Sequence, residues 1–228
     1  MLSIIYEDNQ ILVCEKPAGM PVQSDKSLDP DLVNIIKNHL HQEGKGEPYV
    51  GLVHRLDRPV GGVMVFAKTP KAARHLSRQI QEKQTSKTYL CIVTKDLSHQ
   101  MGTEKILLTD YLKKDGRTNT SKIVPASDKA GKKAELAYTV KAVKDDTSLL
   151  EVELYTGRHH QIRVQLSAHA GGILGDTKYN PESRRLGRTS GIALFSNSLN
   201  FLHPATNKPV SFSALPSGSV WDAFIPFE

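Results

Sequence analysis

Short apolar runs separated by turn-forming residues predict a chain rich in β-strands. The runs cover residues 11–15, 63–68, 88–94, 106–112, 134–144, 147–155, 192–201 and 210–213. Asp145 and Asp146 stand between two of these runs and predict a hairpin turn, although neither residue is glycine. The stretch 113–133 is less apolar and predicts a basic loop that contains one short strand.

Two helices are signalled by the residues that begin them. Asp29 is predicted to cap the first helix, and Pro30 to occupy its first position, where the missing N–H is no loss. Thr69 and Pro70 predict the start of the second helix in the same way. Apolar residues follow both starts at helical spacing: Leu32, Val33, Ile36 and Leu40 in the first, Ala72, Ala73, Leu76 and Ile80 in the second.

A third helix is predicted from about residue 159 to residue 170, with Ile162 and Leu166 facing inward and Gly171 as its stop. Strands outnumber helices, and the two types are interspersed along the chain. This pattern predicts an α+β fold with a mixed, mostly antiparallel β-sheet. The length of 228 residues is compatible with one domain spanning residues 1–228.

The positive charge is clustered along the chain. The net charge of +6 favours a nucleic-acid partner only weakly by itself. Seven Lys or Arg residues lie in 113–133 and six in 68–87, and Arg184, Arg185 and Arg188 form a third cluster. Each cluster alone is typical of a solvated surface. Three clusters with little acid among them favour a surface that follows RNA phosphates.

Cysteine usage and the N-terminus indicate the compartment. The two cysteines, Cys14 and Cys91, lie in apolar strand-like runs and are predicted to be buried, reduced thiols. The N-terminus has no basic segment or cleavage site of a signal peptide, and no apolar run reaches the roughly 18 residues of a membrane span. We therefore expect a cytoplasmic protein that does not enter a membrane.

The first candidate for chemistry is the segment from Gly51 to Lys68. Asp57 stands there between Arg55 and Arg58, and a Gly-Gly pair and an apolar strand follow it. Two arginines would keep a carboxylate ionised, as a nucleophile or base requires. The segment alone does not distinguish such a site from a salt bridge on a surface loop.

The second candidate is the start of the third predicted helix, where Arg158, His159, His160, Gln161 and Arg163 crowd together. Cations are unfavourable at a helix N-terminus, so this arrangement indicates a carboxylate or phosphate nearby. A zinc site is not favoured, since adjacent histidines point to different helix faces and the spacing to the next histidine is not a ligand spacing.

Taken together, these segments resemble the RluA-type pseudouridine synthases. The motif His-Arg-Leu-Asp followed by a strand ending in Ala-Lys stands at 54–68, and Thr-Gly-Arg-x-His-Gln-Ile-Arg at 156–163. Gly-Asp-x-x-Tyr stands at 175–179, Lys-x-Tyr at 87–89 and His-Pro-x-Thr at 203–206. The N-terminal segment 4–22 is also similar, so the resemblance covers nearly the whole chain.

The sequence departs from the family pattern at few positions. Val60-Gly61-Gly62 replaces the usual Thr-Ser-Gly, and the variable residue before His160 is itself a histidine. We expect the chain to consist of the catalytic domain alone, without the S4-type RNA-binding domain of many relatives. We therefore expect it to bind RNA through its own basic loops.

The resemblance implies the pseudouridine synthase fold, a mixed, mostly antiparallel sheet flanked by helices and loops around a central catalytic cleft. It assigns Asp57 as the nucleophile or charge stabiliser at the target uridine. It also implies that Arg163 pairs with Asp57, and that Tyr89 packs against the flipped uracil and handles a proton. Arg55 is expected to fill the space that the flipped nucleotide leaves.

The remaining expectations concern binding and partners. The predicted substrate-binding residues are Arg55, Arg58, His160, Gln161, Ile162 and Leu166. We expect no metal and no cofactor, because the reaction is an isomerisation without redox change or net hydrolysis. The expected partner is a stem-loop of ribosomal or transfer RNA, and a monomer is the expected state.

Two other functions compete with this interpretation. A non-catalytic RNA-binding protein would need the basic loops but not Asp57, Tyr89 and Arg163 together. A metal-dependent phosphodiesterase would use Asp57, Asp176 and a histidine, and a chelator would inhibit it.

Overall fold

The computed structural model describes residues 2–24, 29–41, 46–186 and 191–224. The strands are β1 Ser3–Glu7, β2 Ile11–Lys16, β3 Gly51–Leu52, β4 Gly61–Ala67, β5 Ser86–Val93, β6 Ile106–Asp115, β7 Thr120–Val124, β8 Lys132–Lys144, β9 Thr147–Leu154, β10 Leu194–Leu202 and β11 Pro209–Ser213. The helices are α1 Leu32–Leu40, α2 Pro70–Gln81, α3 Gln161–His169 and α4 Pro181–Leu186.

The chain forms two compact units. One contains Met1–Lys87 and Ser196–Pro216, and the other contains Thr88–Phe195 and Ser217–Glu228. The chain passes from one unit to the other within β5 and within β10. The single domain over residues 1–228 stays a prediction.

The first unit is built on antiparallel strands. β2 pairs with β1 on one side and with β4 on the other, β3 also pairs with β4, and β11 pairs with β10. Helix α2 packs on this layer through Ala72 and Leu76, which join a core of apolar side chains from β2, β4 and β10. The sheet therefore supports the segment between β3 and β4, where Asp57 lies.

The second unit has the strand order β5-β9-β8-β6-β7, and each of these pairs is antiparallel. Helix α3 packs on this sheet, since Val164 contacts Leu112 of β6 and Ala134 of β8. Ile162 and Leu166 are buried, as the sequence predicted. The chain is thus α+β with mostly antiparallel strands, which confirms the predicted fold class.

The helix starts were predicted with mixed success. The hydroxyl of Thr69 accepts the amide hydrogen of Ala72 at 3.1 Å, so the predicted cap of α2 is confirmed. The predicted cap of α1 by Asp29 is wrong. Asp31 caps that helix by accepting from the amide of Asn34 at 3.0 Å, whereas Asp29 forms an ion pair with Arg58.

The predicted loop 113–133 is shorter than expected, because β6 extends to Asp115 and β8 begins at Lys132. Its one short strand is β7, which pairs with β6 as a hairpin. The turn at Asp145 and Asp146 is confirmed between β8 and β9. In the third basic cluster, Arg188 and the side chains of Arg184 and Arg185 lie outside the described residues.

Glycine is required at two positions in the motifs. A Cβ on Gly62, whose φ is +120°, would lie 2.3 Å from the carbonyl oxygen of Ser196. A Cβ on Gly175, whose φ is +80°, would lie 1.9 Å from the carbonyl oxygen of Gly191. Both contacts are with backbone, which cannot move aside easily.

The two thiols are buried, as predicted. Burial raises the pKa of Cys14 to about 12 and also raises the pKa of Cys91. Both side chains therefore act as small apolar groups in their strands.

Candidate active site

Asp57 lies in the segment that connects β3 to β4 in the first unit. Its carbonyl oxygen accepts the amide hydrogen of Val60 at 3.0 Å, which closes a turn, and the preceding Leu56 is buried. Asp57 itself is only partly buried. The backbone of the segment is therefore fixed while the carboxylate stays within reach of a ligand.

Lys16, at the end of β2, binds this segment through hydrogen bonds of its ammonium group. Its side chain is fully buried, and Nζ donates to the carbonyls of Pro17 at 2.9 Å, Met20 at 2.7 Å and Arg58 at 3.0 Å. Burial lowers the pKa of Lys16 to about 8, and the negative charge of Asp57 opposes that shift. This burial was not predicted, since a lysine at a strand end normally reaches solvent.

Arg58 is bound to the same turn. Its Nε donates to the carbonyl of Gly19 at 3.0 Å, its carbonyl accepts from the amide of Gly19 at 2.9 Å, and its guanidinium pairs with Asp29. Arg55, in contrast, is exposed and makes no hydrogen bond or ion pair within the described ranges. The two arginines beside Asp57 therefore differ in their surroundings.

We expect Lys16→Met to destabilise the protein. The carbonyls of Pro17 and Met20 would lose the donor Nζ, at about 1–3 kcal/mol each, while the carbonyl of Arg58 keeps the amide of Gly19; the loss of a desolvated charge would offset part of this. A net loss of about 2 kcal/mol corresponds to a fall in Tm of roughly 4–8 °C for a chain of this size. Calorimetry would measure the fall against Lys208→Met, which removes an exposed lysine. A Tm for Lys16→Met at or above that of the control would contradict the prediction.

His54 acts as a scaffold residue within the first unit. Its Nε2 accepts the amide hydrogen of Val65 at 3.2 Å, so Nδ1 carries the proton in the neutral ring. Burial, with the charge of Lys87 as a smaller cause, holds the pKa of His54 well below its usual value. His54 is therefore uncharged at neutral pH.

Arg163 lies on α3 in the second unit and is 6% exposed. It forms a two-bonded fork with Asp176, with Nε 2.8 Å from Oδ2 and Nη2 2.7 Å from Oδ1. The amides of Lys178 and Tyr179 also donate to Oδ1 of Asp176. The guanidinium carbon lies 5.1 Å from the ring centre of Tyr179. The motif at 175–179 therefore fixes the orientation of Arg163.

The resemblance implies that Arg163 pairs with Asp57. These residues belong to different units, so that pairing stays a prediction. Asp176 is a partner of Arg163 that the sequence analysis did not assign. The Gly-Asp-x-x-Tyr motif at 175–179 was visible in the sequence, but only the fold shows which cation the carboxylate of Asp176 binds.

His160 begins α3 in a left-handed conformation with a φ of 54°. Its Nδ1 lies 2.7 Å from the hydroxyl of Tyr179, and that hydroxyl accepts the amide hydrogen of Ser121 at 2.7 Å. The ring stacks on His159 at 3.7 Å, and His159 hydrogen-bonds with Ser121 and with Asn119. The start of α3 is thus tied to the β6–β7 hairpin.

The side-chain amide of Gln161 forms hydrogen bonds with other residues of the second unit. Its Oε1 accepts from the hydroxyl of Thr156 at 2.8 Å and from the amide of Arg158 at 3.0 Å, and its Nε2 donates to the carbonyl of Glu135. These bonds join the start of α3 to the loop before it and to β8. They explain the position of Gln161 without a ligand, and its predicted contact with substrate stays a prediction.

Tyr89, on β5 of the second unit, is 6% exposed, and Ile162 and Leu166 are 5% and 0% exposed. Burial of this kind is compatible with a role in shaping a base pocket, and it also fits ordinary core packing. The roles assigned to these three residues stay predictions.

A metal site is not indicated by the side chains of the described ranges, in which no three His, Cys, Asp or Glu residues gather as ligands. His169 lies 3.1 Å from a carboxylate oxygen of Asp110 and apart from the stacked pair at the start of α3. Asp176, which a phosphodiesterase would use as a ligand, is occupied by the Arg163 fork.

Comparison with known proteins identifies the family. The family model for RNA pseudouridylate synthase matches residues 10–168. The chain belongs to that family. Its members are isomerases that act on uridine in RNA, and the predicted RluA-type resemblance is confirmed.

Relatives of known sequence agree with this membership. The chain is 33% identical over 223 residues to ribosomal large subunit pseudouridine synthase D of Zymomonas mobilis, covering 93% of this chain and 68% of the relative. It is 34% identical over 236 residues to an uncharacterized RNA pseudouridine synthase of Chlorobaculum parvum, covering 93% of this chain and 70% of the relative. The chain thus spans about two thirds of the length of these relatives.

Solved structures of the family have the same fold. Human RNA pseudouridylate synthase domain containing 1 aligns with a TM-score of 0.76 at 22% identity, over 95% of this chain and 84% of the human chain. Human RNA pseudouridylate synthase domain containing 4 aligns with a TM-score of 0.73 at 23% identity, over 93% and 88%. Within the described ranges of this family member, no helix is long and apolar enough to cross a bilayer.

Proposed function

We propose that the protein isomerises one or more uridines of ribosomal or transfer RNA to pseudouridine, with Asp57 as the nucleophile. The family match over residues 10–168 carries this proposal, because Asp57, Tyr89 and Arg163 all lie within it. A relative named for the large ribosomal subunit supports ribosomal RNA as the first substrate to test.

The reaction breaks the bond between N1 of uracil and C1′ of ribose, and then joins C5 to C1′. Uracil leaves with the electron pair of the broken bond and spreads the charge over its ring and carbonyl oxygens. It therefore needs less protonation than the alcohol that a glycosidase releases. Asp57 would add to C1′ or to C6 of the base, or would assist formation of a glycal.

Arg163 would hold Asp57 ionised and in place, while Tyr89 would pack against the flipped uracil and handle the proton lost from C5. The fork with Asp176 supports the role of Arg163, because it orients a guanidinium that could otherwise rotate. Arg55 is exposed and would enter the space vacated by the flipped nucleotide.

The other proposed substrate contacts are those of Arg58, His160, Gln161, Ile162 and Leu166. Their contacts within each unit support an indirect role in binding. They hold in place the loop before β4 and the start of α3, which would contact the nucleotide. We propose further that the protein acts as a cytoplasmic monomer without metal or cofactor.

The β6–β7 hairpin is the proposed RNA-binding surface of the second unit. Lys113 and Lys122 stand opposite each other in its register, and Asp128 forms an ion pair with Lys113 at 3.1 Å. The exposed cations of the hairpin and its flanks are Lys114, Arg117, Lys122, Lys129, Lys132 and Lys133. The spacing of these cations along the hairpin and its flanks is compatible with contacts to successive phosphates of RNA.

A tritium-release assay would test the proposed function. Purified protein is incubated with EDTA and with total unmodified cellular RNA whose uracils carry tritium at C5. Pseudouridine formation must release tritium from C5, so we expect release from RNA that stays intact.

The other outcomes separate the competing functions. Binding of the RNA without release would indicate a non-catalytic binding protein. Cleavage of the RNA that stops with EDTA would indicate a phosphodiesterase. Either outcome would contradict the proposed function.

A further inference from the structure

Tyr179 is the last residue of the motif at 175–179, and its hydroxyl has no role in the proposed chemistry. The side chain contacts two parts of the second unit. Its hydroxyl accepts the amide hydrogen of Ser121, on β7, at 2.7 Å. Its ring faces α3, and the ring centre lies 5.1 Å from the guanidinium carbon of Arg163. Tyr179 therefore joins the proposed RNA-binding surface to the arginine that is proposed to hold the nucleophile.

The hydroxyl of Tyr179 is bonded on two sides. Besides the Ser121 amide, it lies 2.7 Å from Nδ1 of His160, whose ring meets the ring of Tyr179 edge-on. Hydrogen bonds from two different elements fix the tip of an aromatic ring more closely than apolar packing alone. The ring therefore presents a fixed face to Arg163, and a guanidinium is attracted to such a face.

The main chain at Tyr179 is held by other bonds. Its amide donates to Oδ1 of Asp176 at 3.2 Å, and its carbonyl accepts from the hydroxyl of Ser167. The amide of Asn180 donates to the carbonyl of Asp176 at 2.9 Å, and its side-chain amide donates to the hydroxyl of Thr94. None of these bonds involves the Tyr179 hydroxyl, so the loop can keep its conformation without it.

Further contacts attach the β6–β7 hairpin to the same region. Nζ of Lys178 donates to the carbonyl of Asn119 at 3.0 Å, and the ring of His159 is hydrogen-bonded to the side chains of Asn119 and Ser121. These contacts would keep the hairpin near α3 if the Tyr179 hydroxyl were absent. Loss of that hydroxyl should therefore loosen the arrangement of the hairpin and Arg163 without detaching the hairpin.

We propose that Tyr179 is a positioning residue that holds the β6–β7 hairpin and Arg163 in one fixed arrangement. The proposal rests on the proposed function. RNA phosphates bound by the hairpin then lie at a set distance from the guanidinium, and binding energy from the flanking RNA helps to place the target nucleotide for reaction. Tyr179 acts through Arg163 and exchanges no proton with the substrate.

Three variants of the full chain test the proposal. Tyr179→Phe removes the hydroxyl and keeps the ring. The paired replacement Arg117→Met with Lys122→Met removes two exposed cations of the hairpin. Tyr138→Phe is the matched control, since it removes a buried hydroxyl of the same unit that donates to Gln100 at 3.0 Å.

The probe is an RNA from which the wild-type protein releases tritium. The measurements are the Kd, the single-turnover rate at saturating RNA and the Tm, with rates taken below the Tm of every variant. Tyr179→Phe should keep Kd within about threefold, because the hairpin cations remain, and lower the rate by about tenfold, because a small misplacement of Arg163 is costly. Its Tm should fall by roughly 4–8 °C for two lost hydrogen bonds. Tyr138→Phe should lower the Tm by roughly 2–4 °C and leave the rate within about twofold of the wild type.

A double-mutant cycle tests the link to the hairpin. In the wild-type background, loss of Arg117 and Lys122 should raise Kd by about tenfold or more and lower the saturated rate by about fivefold. In the Tyr179→Phe background the same loss should still raise Kd, but it should change the rate by less than about twofold, because the link is already broken. Rate effects that multiply in the combined variant would overturn the proposal.

Two other results would also overturn it. A saturated rate of Tyr179→Phe within about twofold of the Tyr138→Phe control would give the hydroxyl a structural role alone, whatever the change in Kd. A fall in Tm of more than about 12 °C would show that the hydroxyl holds the fold. If the wild type itself releases no tritium, the proposed function fails and this role falls with it. The positioning role alone fails when the wild type is active and Tyr179→Phe matches it.

Discussion

Replacing Asp57 with asparagine is expected to lower the rate of pseudouridine formation by at least about 10⁴-fold, in the range seen when a nucleophile is removed. Asparagine has the same shape but neither the charge nor the nucleophilicity of the carboxylate. The loop should keep its conformation, because the bond from Val60 uses the Asp57 carbonyl and Lys16 binds the carbonyl of Arg58.

Binding of RNA by Asp57→Asn should be equal to or slightly tighter than that of the wild type, since a negative charge near the phosphates is removed. Single-turnover tritium release and filter binding on the same RNA would measure the two effects. Asp146→Asn, in the exposed turn between β8 and β9, is the matched control. Turnover by Asp57→Asn at the wild-type rate would refute the choice of nucleophile.

The second large effect is expected at the ion pair between Arg163 and Asp176. Asp176 is 1% exposed and Arg163 is 6% exposed. Asp176→Asn would remove the counter-charge that forms the fork with the buried guanidinium, and breaking a buried pair in this way lowers the free energy of unfolding by about 3–5 kcal/mol. The Tm should fall by more than about 6 °C. Activity below that temperature should also fall, because Arg163 loses the fork that orients it.

Two further variants would show that the effect belongs to the buried pair. Glu82→Gln breaks the exposed pair with Arg78 and should change the free energy of unfolding by no more than about 0.5 kcal/mol. The double variant Arg163→Met with Asp176→Asn removes both charges and keeps an oxygen for the amides of Lys178 and Tyr179, so it should recover part of the stability and none of the activity. Denaturant unfolding and tritium release would measure both. A double variant that stays as unstable as Asp176→Asn would count against a charge effect.

Most of the strands and the start of α2 could be predicted from the sequence, because these depend on local patterns. The cap of α2 by Thr69 is one example, since the hydroxyl and the amide it binds lie three residues apart. The cap of α1 was assigned to Asp29 rather than to Asp31. Both carboxylates precede the helix, and only the distant Arg58 distinguishes them by taking Asp29 as its partner.

The motifs of the candidate site could be predicted from the sequence. The burial and the ion-pair partners of its charged residues could not. Asp57, Tyr89 and Arg163 stand in recognisable patterns, and the family match covers them. The burial of Lys16 had no local signal, because it depends on what the rest of the unit packs around that side chain. The role of Asp176 was hidden for the same reason, since its fork joins residues 13 positions apart.

The buried state of Cys14 and Cys91 has a practical consequence. Reagents such as maleimides attack the thiolate, and a raised pKa together with burial keeps both native thiols in the unreactive form. The sequence contains only these two cysteines. The native thiols should therefore not react with labelling reagents. A single cysteine introduced in the turn of the β6–β7 hairpin would then be the one site that takes up a dye or a cross-linker to the RNA.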